Sequence, residues 1–329
     1  PPPFFYQEQD GILASSVTGD QTGAFRSCVG QLVADIVVRP VDELPPSGRT
    51  RPVEEMELFS GGCAANTAAV LAKLGAAARL VALIGRDPLG DAALADQAAA
   101  GVDVSAVMRS GDLPTSAAIV LVDGAGQRSF YYRAGGCERL ANRHVPDKSV
   151  KGARIVHVGG AMKMLDLDLA ELMGRAKTFG CLTSLDTDWD IYGNWMRKLE
   201  AALPKIDYLI TNEEEAAMLS GKEAPAEAAR ALLEYGPKAV AVKRGNRGAL
   251  VAAAGVLSEF PAYRVDVRDT TCAGDAFAAG FLLGASLGRP LDESVRLGNS
   301  AGALCTTALS HRGVVSLAAV RRLIEEQER

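Results

Sequence analysis

The sequence predicts an α/β fold: a central, mostly parallel sheet flanked by helices on both faces, with a small antiparallel β lid. Three observations predict it. From residue 151 onward, short apolar β-type runs alternate with helix-length segments, the pattern of repeated β-α units. Several of these runs end on polar groups: Asp186 and Asp188, Asn212 and Glu215, Lys243 and Arg244. Packing does not require polar strand ends, whereas a ligand cleft at the edge of an open α/β sheet does. Further upstream, residues 116–122 and 127–133 flank Asp123-Gly124-Ala125-Gly126, a hairpin signal that interrupts the alternation.

Composition sets the outer bounds. The 329 residues, 48% of them hydrophobic, suffice for one large α/β domain with a small appendage. A net charge of −5, with acids and bases intermixed, gives no footprint for nucleic acid or for a membrane surface. No apolar run reaches transmembrane length. The chain starts Pro1-Pro2-Pro3, without the basic-then-apolar layout of a signal peptide. Residues 1–24 are polar and aperiodic, and are expected to form a flexible extension ahead of one domain at 25–329. The six cysteines are scattered with no C-x-x-C pair, and there are three histidines, so a zinc site is not expected. Isolated cysteines in apolar segments read as buried thiols, in keeping with a reducing, cytoplasmic setting.

Taken in order, residues 28–35 read as a buried first strand ending on Asp35. An acid at the end of a parallel strand faces the ligand side of such a sheet, although a turn residue would look the same. Residues 40–58 are polar. Gly61-Gly62 then opens a helix that carries Asn66 and runs to Leu74-Gly75. Two glycines let the backbone approach a ligand, and a carboxamide both donates to and accepts from hydroxyls. Residues 79–84 read as a strand, followed by a turn and an Ala-rich helix ending at Gly101. The lid is assigned to about residues 37–60 and 115–134, with Arg133 near a strand end where it would reach substrate.

Strands are expected at 154–158, 182–185, 208–210 and 239–242, with helices near 167–179, 192–203, 213–219 and 226–235. Asn212 and Glu215, three apart at a helix start, share a face and would organise the water shell of Mg²⁺. Lys243, Gly245 and Gly248 sit in a turn with several cations and suit phosphate. Further antiparallel strands follow at 248–263, and three helices close the chain.

Residues 269–281 join a polar turn to a small-residue helix. Asp275 lies in the first helical turn, where the N–H groups of Ala273, Gly274 and Asp275 and the helix dipole make an anion hole. A carboxylate beside such a hole suits proton removal from a hydroxyl as an anionic group arrives. It also suits a plain helix cap.

In chain order, Asp35, Gly61-Gly62-x-x-x-Asn66, Asn212-x-x-Glu215, Lys243-x-Gly245-x-x-Gly248 and Asp269-Thr270-x-x-Ala273-Gly274-Asp275 resemble the ribokinase-like (PfkB) carbohydrate kinases. The resemblance spans about residues 26–327. It implies a ribokinase-like fold and transfer of the γ-phosphoryl group of ATP, with Mg²⁺, to a sugar hydroxyl. Asp275 is then the base, and the amides of 273–275 hold the developing charge. By the same resemblance Asp35, Gly61, Gly62 and Asn66 bind sugar hydroxyls. Asn212 and Glu215 organise Mg²⁺ through water. Lys243, Gly245 and Gly248 line the nucleotide side, and Asn299 lies near the adenine pocket. Asp269 and Thr271 match a loop that holds a monovalent cation such as K⁺ in many members. A homodimer formed through the lid is implied as well. Cys272 departs from the small residue usual there, and Thr211 replaces a frequent proline. The alternatives are a nucleoside kinase of the same family and a catalytically silent regulatory relative, the latter opposed by the intact Gly274-Asp275. A dehydrogenase on a Rossmann sheet lacks the early G-x-G-x-x-G.

Overall fold

The structure is a computed structural model that describes residues 25–328 apart from 125 and 315; the extension expected at 1–24 lies outside the described residues. The chain opens with β1 (Arg26–Gly30), then β2 (Val33–Arg39) and β3 (Glu55–Gly61). Helix α1 (Cys63–Lys73) leads to β4 (Ala78–Val81), β5 (Leu83–Gly85), α2 (Pro88–Ala99) and β6 (Met108–Ser110). Next come β7 (Ala117–Val122) and β8 (Arg128–Arg133). The alternating half contains β9 (Ile155–Gly159), α3 (Leu169–Thr178), β10 (Leu182–Asp186), α4 (Met196–Leu199) and β11 (Tyr208–Asn212). It continues with α5 (Glu213–Ser220), α6 (Pro225–Glu234) and β12 (Ala239–Lys243). The hairpin β13 (Ala249–Ala253) and β14 (Val256–Phe260) precedes α7 (Ala273–Ser286), α8 (Leu291–Cys305) and α9 (Leu317–Gln327).

The main sheet has the order β14-β13-β12-β11-β10-β9-β1-β4. The six strands from β12 to β4 are parallel, and β13 and β14 add an antiparallel edge. Alternation along each strand sends side chains to two helical layers. Val156 and Val158 of β9 pack with Leu172 and Met173 of α3 and Leu232 of α6. Ile155 packs on the other side with Phe277 and Phe281 of α7. Helix α7 is apolar all round and buried from Ala276 onward, as expected of a helix enclosed by its neighbours. Its small residues let α8 come close: a Cβ on Gly280 would lie 2.4 Å from the Leu297 carbonyl oxygen.

The lid is a four-stranded sheet of order β3-β2-β7-β8. Its outer pairs are antiparallel as expected, and its central pair, β2 with β7, is parallel. The chain passes through the main domain between those two strands and returns in the same direction.

Three elements differ from the sequence expectation. The single first strand is two: β1 lies in the main sheet and β2 in the lid, with Gln31-Leu32 between them. Asp35 therefore projects from a lid strand, and Gln31 follows the end of β1, next to the edge strand β4. The run at 79–84 likewise divides into β4 and β5, the latter paired with β6. Two short buried strands in series give one unbroken apolar run, so periodicity does not reveal the break. The helix expected at 192–203 shortens to Met196–Leu199 with a 3₁₀ turn after it.

Candidate active site

The N-terminus of α7 is the centre of the site. Cys272, before the helix, takes a left-handed φ of 63° and turns the chain so that Ala273 starts α7. No described residue accepts from the N–H of Gly274 or Asp275, while Ala273 makes a long 3.4 Å bond to the Thr270 carbonyl. Two free donors, with the dipole behind them, therefore face outward from the turn. The Asp275 carboxylate accepts a 2.8 Å hydrogen bond from Asn66 Nδ2. Burial pushes Asp275 up to about 6, against the pull of Asn66 and Lys243. Asn66 Oδ1 is buried with no partner among the described residues, an acceptor aimed at nothing the protein supplies.

Asp35 closes over this turn from the lid. A Cβ on Gly61 would lie 1.8 Å from Asp35 Oδ2, so only glycine leaves the carboxylate room. Gly62 has φ 94° and caps α1, a backbone that L residues rarely adopt. Burial first, and then the charge of Asp275, push Asp35 up to about 7. Both acids keep part of their surface open.

Lys243, at the end of β12, reaches back toward α7. Its ammonium donates to Asp186 Oδ1 and Oδ2 at 2.8 and 2.9 Å. A Cβ on Gly274 would meet Lys243 Nζ at 3.1 Å. Burial disfavours the ammonium, but Asp186 and Glu215 outweigh it and hold Lys243 charged. Burial also pushes Asp186 up to about 8, in competition with that pairing. We assign the ionised pair, since a neutral Asp186 would leave the buried ammonium without a counter-charge. Lys243 thus stands beside the turn that starts α7.

Asn212 caps α5 by accepting from the Glu215 N–H at 2.8 Å. Glu215 is buried, and its Oε2 accepts from Thr187 Oγ1 at 2.6 Å. Among the described residues no cluster of His, Cys, Asp or Glu forms a direct metal cage. A carboxylate with hydroxyl neighbours nonetheless suits Mg²⁺ held through water, so Glu215 fits that ion, and the oxygen of Asn212, with one bond made, keeps a second lone pair.

The remaining residues separate. Gly245 lies in open space, while a Cβ on Gly248 would be 2.0 Å from the Phe260 carbonyl oxygen. Asn299 donates to the carbonyls of Phe260 and Pro261 at 3.2 and 2.9 Å. Gly248 and Asn299 therefore shape the same backbone stretch from two sides. Asp269 Oδ1 accepts from the N–H and hydroxyl of Thr271, at 2.9 and 2.6 Å, and its Oδ2 accepts from the Ser310 N–H at 3.1 Å. Both oxygens hold the loop together. Arg133 is not brought into the group. Register pairs Tyr132 with Ala118 and Asp35, so the next residue, Arg133, lies on the opposite lid face, where it donates to the Thr115 carbonyl at 2.8 Å.

Several residues at the site had no distinguishing sequence signal. Arg128, inside the predicted hairpin, donates from Nη1 to Thr271 Oγ1 at 2.8 Å and ties the lid to the turn before α7. Gln31, Asp188 and Lys163 form a buried polar set under the lid. Asp186 and Asp188 could be found as polar ends of an apolar strand, but Lys163 and Gln31 sit in runs that look like ordinary strand and loop.

Known proteins place this geometry. The chain is 29% identical over 299 residues to an ATP-dependent ribose-1-phosphate kinase of Halopiger xanaduensis, covering 91% of this chain and 97% of that protein. It is 26% identical over 254 residues to a nucleoside kinase of Methanothermobacter thermautotrophicus, covering 77% and 80%. Its fold superposes on Arabidopsis thaliana ribokinase complexed with ribose and ATP with a TM-score of 0.79, at 25% identity, over 92% of this chain and 99% of that one. Residues 25–315 match the pfkB family carbohydrate kinases. That match covers most of the chain, and the chain belongs to the pfkB family of carbohydrate kinases.

Proposed function

We propose that the protein phosphorylates a sugar hydroxyl with ATP and that Asp275 is the base. The observation that carries this reading is the Asp275 carboxylate, oriented by Asn66 at 2.8 Å beside the two free amides of the α7 turn. A carboxyl group at about 6 is mostly ionised near neutral pH and still basic enough to take a proton. The substrate hydroxyl gives its proton to Asp275 as its oxygen bonds the γ-phosphorus and the bond to the ADP oxygen breaks. The N–H groups of Gly274 and Asp275 and the Lys243 ammonium would stabilise the charge on the phosphoryl oxygens. Asp35, the Gly62 turn and the open acceptor Asn66 Oδ1 would hold sugar hydroxyls. Glu215 would hold Mg²⁺ through water, and that ion supplies charge neutralisation of the phosphates.

Asp275→Asn tests this. We expect kcat to fall by at least about a hundredfold, the usual contribution of a general base. ATP binding and the unfolding midpoint should stay near wild type. Near-normal turnover would remove Asp275 from its role.

We also propose a homodimer joined by the outer lid faces, in the cytoplasm. Met56, Leu58, Ile119 and Tyr131 share the face opposite Asp35 and are 65%, 42%, 42% and 59% exposed. Such a patch is unusual on a monomer. All six cysteines are free thiols, in keeping with a reducing compartment.

A further inference from the structure

The inner face of the lid carries a cation that no acid of the chain neutralises. Alternation along β8 puts Arg128, Phe130 and Tyr132 on one face, and register sets Tyr132 in a row with Ala118 and Asp35. Arg128 is half-buried and donates from Nη1 to Thr271 Oγ1 at 2.8 Å, in the turn that leads into α7. Its guanidinium lies 6.0 Å from the centre of the Phe130 ring. Among the described residues it forms no ion pair. Two other arginines that touch the lid are paired: Arg39 with Glu55 at 2.6 Å, and Arg312, ahead of α9, with Glu57 at 3.2 Å.

The guanidinium is held at one point and open at the others. Thr271 Oγ1 accepts from Arg128 and donates to Asp269 Oδ1 at 2.6 Å. Asp269 is engaged with its own loop, accepting from the N–H groups of Thr271 and Ser310 at 2.9 and 3.1 Å. Arg128 therefore spends one of its five donors, and none of its other nitrogens is buried without a partner, so they face open space. Phe130, next on the same face, is 58% exposed, which leaves the gap between lid and turn accessible here. A clasp onto a hydroxyl needs no charge, and the Arg312–Glu57 pair already ties the lid to the main domain. A half-buried charge without a counter-charge costs free energy, and an oxyanion accepting from the guanidinium fork would remove that cost.

We propose that Arg128 is a substrate-binding residue that takes an oxyanionic group, a phosphate monoester or a carboxylate, carried by the sugar at the end away from the reacting hydroxyl. The proposal rests on the kinase reading above. Chain geometry gives the two groups a fitting separation. Thr271 precedes Asp275 by four residues, so their Cα atoms are at most about 14 Å apart, and the helical turn between them shortens that. One sugar ring with a substituent on either side covers such a span. Along the lid, Arg128 stands four residues from Tyr132, about 14 Å down the strand from the row that holds Asp35. The acids Asp35 and Asp275 thus lie at the hydroxyl end and the unpaired cation at the other, which keeps the substrate's negative group away from both carboxylates. Arg suits this task better than Lys, because its planar fork matches two oxygens of one phosphate or carboxylate.

The test uses the full chain, in calorimetric titrations and an ADP-release assay with ribose 1-phosphate, ribose 5-phosphate, fructose 6-phosphate and D-gluconate, each against its neutral parent sugar. At least one anionic probe should bind about tenfold more tightly than its parent, the worth of one charge-assisted pair. A phosphate or a carboxylate that meets this mark supports the proposal and names the oxyanion. Arg128→Gln keeps amide donors without the charge, and should raise Kd and KM for that probe by about tenfold. Its kcat, and its KM for the neutral parent, should change less than about threefold. Arg128→Lys, which keeps the charge and loses the fork, should recover part of the loss. No anionic probe preferred over its parent, or an equal loss for anionic and neutral sugars in Arg128→Gln, as a lid clasp alone would give, would each overturn the proposal. Should Arg128→Gln lower the unfolding midpoint, the anionic-to-neutral ratio of KM in Arg128→Lys decides: a rise supports the proposal and an unchanged ratio overturns it. Anionic-sugar binding that depends on Arg128, without ATP turnover, would overturn the kinase reading and leave this one standing, and ATP turnover of neutral sugars alone would do the reverse.

Discussion

At the scale of single residues, the two acids beneath the lid dominate. Asp275 at about 6 and Asp35 at about 7 both lie above the usual carboxylate range, because burial penalises their charge. Two consequences have opposite signs. The base works only when ionised, so kcat/KM should fall tenfold per pH unit as pH drops below about 6, read from a pH–rate profile. Stability runs the other way. A carboxyl whose folded pKa is raised holds its proton longer folded than unfolded. Its contribution is fully present below the unfolded value of about 3.8 and is lost as pH rises through about 6 and 7. The unfolding midpoint of the free protein should therefore decline between about pH 4 and 7, and Asp35→Asn should flatten that decline. Cys272, like Trp195, Ala254 and Ser310, carries a local backbone cost. Its φ of 63° suits glycine, and for other residues the left-handed region costs roughly 1–2 kcal/mol. The free N–H groups of Gly274 and Asp275 depend on that bend.

At the scale of elements, the site is a meeting of one helix start with one lid strand. Gly61 is the joint. Its φ is not in the left-handed region, so alanine is allowed by the backbone, but the new Cβ would sit 1.8 Å from Asp35 Oδ2. Gly61→Ala should fold normally and displace Asp35, raising KM for sugar by about tenfold while ATP affinity is kept, as measured by steady-state kinetics. Arg128 makes the second joint, between β8 and the turn before α7. The boundaries of α1, α5 and α7 were legible because Gly, Asn and a polar turn precede them. The division of 28–35 into β1 and β2 was not, since both pieces are apolar and consecutive.

At the scale of the whole molecule, the main sheet presents its strand ends to a lid whose outer face stays apolar. In light scattering on a sizing column, we expect a dimer for the wild type. Ile119→Glu, which places a charge in the outer patch away from Asp35, should give a monomer. An unchanged dimer would move the interface elsewhere. Family membership follows from the match over residues 25–315 together with this architecture.

The sequence alone determined the fold class, the order of the motifs and the identity of Asp275, Asn66, Asp35 and Gly62 as candidates. Strand–helix alternation, glycine pairs and helix starts are local, and local physics is written in neighbouring residues. Tertiary structure decided which of the candidates meet. Lys243 turned out to stand beside Gly274, and Gly248 and Asn299 to frame one backbone stretch. Arg133 falls on the far face of the lid because side chains alternate along a strand, and only the register reveals the parity. Gln31, Lys163 and Asp188 come from three loops, with 157 positions between the first and the last of them in the Gln31–Asp188 bond. No periodicity reports a contact of that range, because what brings those side chains together is the packing of β1, β9 and β10 side by side.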